Sequence, residues 1–269
     1  MTDRELRAAD VPVASYRVRP ELDIRLAPRP YLHPVRTLAG VPVTDALCFD
    51  HPWHLGASLT MAYVNGFNLW GGRTCLPDEG YTWRDDHGRI VHTGWDPAGF
   101  ERLRWEDGDG GLLLDETRTV AASPAPLGWV LSFDYALTAP AEGPDVVLGS
   151  PATSGYPGAG GYGGFFWRAA PGPARAFTTG GAEDVQGGTE PWVALTVGTA
   201  YTLVFMGLSE GDRWFVRTAG EYAGVCAALA YAKPLVLAAG STLSRRIRVL
   251  VADGELTPAQ IDGAMPPAD

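Results

Sequence analysis

Apolar and polar residues alternate with a period of two along much of the chain. Over residues 243–251, Ile247, Val249 and Val251 fall on one side, and Arg246, Arg248 and Leu250 on the other. That is the pattern of a strand with one buried and one wetter face. Residues 21–26, 100–106, 112–120, 129–137, 201–206 and 214–217 repeat it. The Gly/Asp-rich stretches 107–111 and 210–212 between them read as the turns of antiparallel hairpins. Helical signals are few. The best is at residues 257–261, where Thr257 can cap a helix and Pro258 fits its first turn; this short helix is expected to close the fold. Many strands with almost no strand–helix alternation predict an all-β chain. We expect one antiparallel β-sandwich domain over 1–269, jelly-roll or of the galactose-mutarotase-like supersandwich type, with very little helix.

Composition narrows the function classes. With 46% hydrophobic residues in 269, the chain can bury a sizeable core as one domain. Its net charge of −10, from 31 acids against 21 bases, leaves no basic footprint for nucleic acid. Cys48, Cys75 and Cys226 are odd in number and far apart, and no Cys-x-x-Cys occurs. Neither a disulfide framework nor a thiolate metal site is indicated. No run approaches the about 18 apolar residues of a membrane span, and the first residues lack the apolar core of an export signal. The expected location is the cytoplasm, without a membrane partner. Oligomeric state stays open, a homo-oligomer included.

Two segments break the strand rhythm: 28–76, rich in His, Pro, Asp, Asn and Trp, and 150–168, rich in Gly. Loops held by a rigid scaffold are where sites are usually built. The densest chemistry is Asp50-His51-Pro52-Trp53-His54. Imidazole moves protons near neutral pH, and a neighbouring carboxylate fixes its tautomer. The same residues could instead ligate a metal, but Pro52 argues against one helix carrying both His, and the spacing fits no specific metal motif. The bland alternative is that these His side chains only bond loop backbone. His33 joins the group if its loop folds back. Asn65, Asn68 and Trp70 combine two-way hydrogen bonding with a flat apolar face, as a sugar requires. Residues 158–163 match G-x-G-x-x-G, yet no strand precedes them and residues 165–168 read as a strand, so a nucleotide loop is rejected. A mobile loop presenting Tyr162 and Arg168 over a pocket fits better.

The blocks at 29–37, 50–56, 65–71 and 161–168, with the late segment 234–254, together resemble a bacterial family labelled PmoA-like, or methane oxygenase PmoA. The resemblance spans nearly the whole chain. It implies a link to sugar metabolism, because such proteins often accompany sugar oxidoreductases, and it implies that His33, Asp50, His51, His54, Asn68 and Tyr162 belong to a pocket. Where the resemblance leads one to expect an acid before Pro234, this chain has Lys233, so no acidic role carries over there. The resulting expectation is an enzyme acting on a sugar or keto-sugar, a lyase, hydrolase or isomerase, with His33, Asp50, His51 and His54 as acid/base residues. Asn65, Asn68, Trp70, Tyr162 and Arg168 would bind the substrate, and no cofactor is called for. The alternatives are a non-catalytic carbohydrate-binding protein and a metal-dependent oxygenase, as the family label suggests.

Overall fold

The computed structural model describes residues 3–156 and 160–264. Among these, two large antiparallel sheets pack face to face. The first has the order Arg4–Ala8, Val11–Arg17, Tyr31–Val35, Ala57–Thr60, Gly164–Arg168, Gly224–Ala228, Arg213–Arg217. The second has the order Ala174–Phe177, Trp192–Val197, Tyr201–Met206, Thr242–Asp253, Gly128–Thr138, Leu112–Ala125, Glu101–Glu106, Arg89–Trp95. The fold is an antiparallel β-sandwich, as the alternation predicts. Inward residues of the two sheets meet directly: Phe133 lies 4.8 Å from Phe165, and Trp167 lies 5.8 Å from Phe205, between ring centroids. The indole N–H groups of Trp129 and Trp167 donate to the carbonyls of Arg36 and Val43, so these two indoles are buried without orphaned donors.

A charged network also sits inside the sandwich. Arg118 donates twice to Glu116 and once to the Tyr16 hydroxyl, and Tyr16 donates in turn to Glu101. Glu101 also holds His92 at 2.7 Å, and Glu116 accepts from Trp105. All six side chains are buried. Such groups are tolerated in a core only when paired in this way.

Outside the second sheet, the helix Pro258–Ala264 lays Ile261 against Phe177, Trp192 and Leu250. Thr257 and Gln260 cap it reciprocally, the Gln260 side chain accepting from the Thr257 N–H and the Thr257 hydroxyl from the Gln260 N–H. Among the described residues no helix is long and apolar enough to cross a membrane.

Two local expectations are corrected. Residues 21–26 form no strand. Ile24–Leu26 is a single 3₁₀ turn, capped by the Asp23 side chain bonding the Arg25 N–H and ended by Ala27 in the left-handed region at φ 46°. The local side-chain bond overrides an apolar spacing that no neighbouring strand satisfies. The turn at 210–212 joins no hairpin either. Tyr201–Met206 and Arg213–Arg217 belong to different sheets, and Arg245 holds the turn's Asp212 at 2.6 and 2.9 Å. The turn at 107–111 does close a hairpin between Glu101–Glu106 and Leu112–Ala125, with the Asp107 carboxylate accepting from the N–H groups of Asp109 and Gly111.

Candidate functional site

The central strands of the first sheet are buried on both faces. Ala57, Leu59, Phe165, Trp167, Val225 and Ala227 point into the sandwich. The alternate residues Phe166, Cys226 and Ala228 point the other way and carry a second apolar layer with Ala62, Trp70 and Phe215. Ser58, Thr60 and Arg168 share that outer face by strand alternation. The site is assembled on this face, beneath the segments 45–56, 65–88 and 217–222.

Arg29 fastens the canopy. It is fully buried. Its guanidinium donates to Ser58 Oγ at 3.1 Å, to the carbonyl of Ala27 at 2.9 Å, to that of Trp70 at 3.3 Å and to that of Trp53 at 3.0 Å. One side chain thus ties the sheet to two loops. Asn68 shapes the second loop: its Oδ1 accepts from the N–H groups of Trp70 and Gly71, and its Nδ2 donates to Thr74 Oγ1. His87 adds a bond to the Gly72 carbonyl at 2.6 Å. Gly71 and Gly72 adopt φ of 96° and 71° and lie against Trp53; a Cβ at Gly72 would fall 2.5 Å from the indole.

Residues 51–54 form a turn closed by the His54 N–H donating to the His51 carbonyl at 2.9 Å. Pro52 occupies the position of a turn that its fixed φ suits. The turn brings both imidazoles to one side, stacked at 4.7 Å with 17° between planes. Beneath them, Arg168 makes a two-pronged pair with Asp50, at 2.9 and 3.0 Å, and donates to His54 Nδ1 at 3.2 Å. Asp50 also accepts from His51 Nδ1 at 2.9 Å. Because the carboxylate only accepts, His51 carries its proton on Nδ1 and its lone pair on Nε2. His54 has the opposite tautomer, with its lone pair on Nδ1 facing Arg168. Burial raises the Asp50 carboxyl, but the bonds from Arg168 and His51 outweigh this and hold it well below the usual range. Burial above all, then the adjacent His51 and Arg168, keeps His54 neutral far below the ordinary imidazole range.

His51 and His54 open onto a cleft of about 570 Å³, walled by Trp53, Trp70, Tyr81, Trp83, Tyr162 and Tyr222, with Phe49 at its rim. Tyr222 lies under two guanidinium groups, Arg168 at 4.7 Å and Arg217 at 4.9 Å. The Tyr81 and Tyr162 hydroxyls approach to 3.2 Å. Asp50, His51 and Glu221 place ligand atoms within 4.8 Å of one another. This donor set does not suit a metal: Arg168 occupies both Asp50 oxygens and sets a positive charge beside them, and His51 directs Nδ1–H at the same carboxylate.

Of the residues expected from sequence, Asp50, His51, His54, Trp70 and Tyr162 line the cleft. Arg168 and Asn68 support it from below and behind. His33 does not join it: its Nδ1 bonds Thr44 Oγ1 at 3.0 Å, which satisfies the ring away from the cleft. Asn65 does not line it either. It takes φ 49° in a turn and accepts from the Val147 N–H. Residues 157–159 of the glycine-rich loop lie outside the described residues. Reading the sequence misses Arg29, Arg73, His87, Arg217, Glu221 and Tyr222. The last three come from a strand end and turn far along the chain, with no local motif to mark them. No curated protein matches the chain at a significant level. The family model described as a family of unknown function, DUF6807, matches residues 4–265, nearly the whole chain, and the chain therefore belongs to that family.

Proposed function

We propose that the cleft binds a sugar or oxidised sugar and that His51, oriented by Asp50, transfers a proton to or from it. The observation that carries this reading is the Arg168–Asp50–His51 chain of hydrogen bonds, which ends in an Nε2 lone pair at an aromatic-walled cleft. A carboxylate that orients an imidazole and stabilises its protonated form is what general acid/base chemistry needs. Indole and phenol faces suit the C–H faces of a pyranose, and flanking polar groups suit its hydroxyls. On a keto-sugar, His51 Nε2 takes the proton next to the carbonyl, the C–H electron pair forms the C=C bond of an enolate, and the carbonyl π pair moves onto the oxygen. The likeness to the PmoA-like family, with its link to sugar oxidoreductases, points the same way. The oxygenase alternative is disfavoured by the donor set at Asp50 and His51. The binding-protein alternative keeps the aromatic walls but leaves the oriented imidazole without a task.

The test is incubation with keto-sugars in deuterated water, read by NMR for exchange at carbons next to the carbonyl and for product. Wild type should exchange and His51→Gln should not, while both bind the sugar. Binding without exchange or turnover in wild type would establish the non-catalytic alternative. Exchange undiminished in His51→Gln would overturn the role given to His51.

A further inference from the structure

We propose that the sugar is an anion, carrying a carboxylate or phosphate group that Arg217 and Arg73 hold. This rests on the cleft being a sugar site and adds the charge of its substrate. Four charged side chains line the cleft: Asp50, Glu221, Arg73 and Arg217. Asp50 is already neutralised by the buried Arg168. Glu221 is left against two guanidinium groups, and it approaches His51 Nδ1, at 3.5 Å, rather than either arginine. Among the described residues neither Arg73 nor Arg217 has a carboxylate oxygen within 4.0 Å. With Asp50 offset by Arg168, two guanidinium groups against the one carboxylate of Glu221 leave the cleft locally positive in a chain of net charge −10.

Placement strengthens the case. The Arg217 guanidinium rests over Tyr222, and the Tyr222 ring lies 5.2 Å from His51. Arg73 follows the Gly71-Gly72 pair packed on Trp53, whose ring lies 5.1 Å from His51. Two separate segments therefore deliver cations to the surroundings of one imidazole. A planar guanidinium matches carboxylate and phosphate oxygens in a two-pronged fit, whereas a neutral sugar has no group that calls for two of them. A cation lining a cleft also raises the local concentration of anionic ligands.

The experiment is calorimetric titration with four probes: a hexuronate, its methyl ester, the parent neutral hexose and a hexose phosphate. The uronate or the phosphate should bind at least about tenfold tighter than the ester and weaken with added salt. Preference for one over the other identifies the anionic group. Arg217→Gln should cut the anion's affinity about tenfold and the ester's far less, and Arg73→Gln should do so in the same direction. Both arginines are exposed, so the variants should fold, which circular dichroism checks. Equal binding of ester and anion, unaffected by Arg217→Gln, would overturn the charge inference while leaving the sugar site standing. Absence of binding by all four probes, with Trp70→Ala indistinguishable from wild type, would remove the sugar reading and this inference with it.

Discussion

Replacing Arg168 by Met tests whether the buried ion pair holds the site together. The substitution keeps much of the stem and removes the guanidinium. Asp50 loses partners at 2.9 and 3.0 Å, His54 loses the donor to Nδ1, and Tyr222 loses a cation 4.7 Å above its ring. Breaking a fully buried pair from one side costs about 3–5 kcal/mol. The Asp50 side chain is 25% exposed, so water offsets part of that, and Arg168 Nε, buried without a partner, takes its own desolvation cost away with it. We expect a net loss of about 2–3 kcal/mol. For a chain of this length that lowers Tm by roughly 4–12 °C.

The pH dependence separates the ion pair from lost packing. A carboxylate whose pKa is depressed by folding contributes its stabilisation fully above its unfolded value, about 3.9. That contribution disappears as pH falls through this value toward the folded pKa. The stability gap between wild type and Arg168→Met should therefore be wide at pH 7 and narrower at pH 3. Urea melts at both pH values measure it, and Asp50→Asn with the double variant completes a cycle. A coupling below about 0.5 kcal/mol, or a gap equal at the two pH values, would refute the reasoning.

Three further outcomes follow from the same geometry. Because folding lowers the His54 pKa, the unfolded chain binds a proton below pH about 6.5 that the folded chain refuses; stability should fall from pH 7 to pH 5, and His54→Gln should flatten that slope in urea melts. Gly72→Ala should drive a Cβ toward the Trp53 ring from a left-handed backbone position, distorting the cleft wall and lowering ligand affinity measured by titration calorimetry more than thermal stability. Cys48, Cys75 and Cys226 are free: thiol titration of denatured, unreduced protein should find all three. Cys48 should react slowly in the native state, since burial, joined by a hydrogen bond with Asp45, pushes its pKa up to about 12.

The fold was legible where one face of a strand is wetter than the other. Gly128–Thr138 alternates clearly and its burial follows throughout, Thr242–Asp253 does so as far as Val249, and Leu112–Ala125 departs from it by turning Glu116 and Arg118 to its buried side. The strands that carry the site do not alternate. Ala57–Thr60, Gly164–Arg168 and Gly224–Ala228 are buried throughout, so their two faces cannot be told apart from residue types. The histidine turn was legible because one short segment holds its carboxylate and both imidazoles. His33 looked equivalent by composition, and only tertiary structure reveals that Thr44 satisfies its ring. Arg217, Glu221 and Tyr222 reach the cleft because Arg213–Arg217 pairs with Gly224–Ala228, which lies next to Gly164–Arg168. The first pairing is a local hairpin, but the second is long-range, and no local pattern announces it.

The arrangement divides labour between the floor of the cleft and its rim. At the floor, a strand whose Trp167 points into the sandwich must point Arg168 the other way, and Arg168 then fixes Asp50, His54 and, through Asp50, the tautomer of His51. Each group is held by a partner that the sheet itself positions, so the imidazole pair needs no ligand to assemble it. At the rim, Phe49 is fully exposed, and Trp83 and Tyr81 are 51% and 44% exposed. Large aromatics left in water around a preformed polar floor gain most when something apolar-faced covers them. On the proposed reading, the rim supplies affinity for the sugar ring and the floor supplies the proton. Substitutions at Trp83 or Phe49 should therefore raise KM with kcat little changed, while His51→Gln should lower kcat. Steady-state kinetics on any substrate found in the exchange assay decides this, and a Trp83→Ala variant that lost kcat without a change in KM would contradict the division.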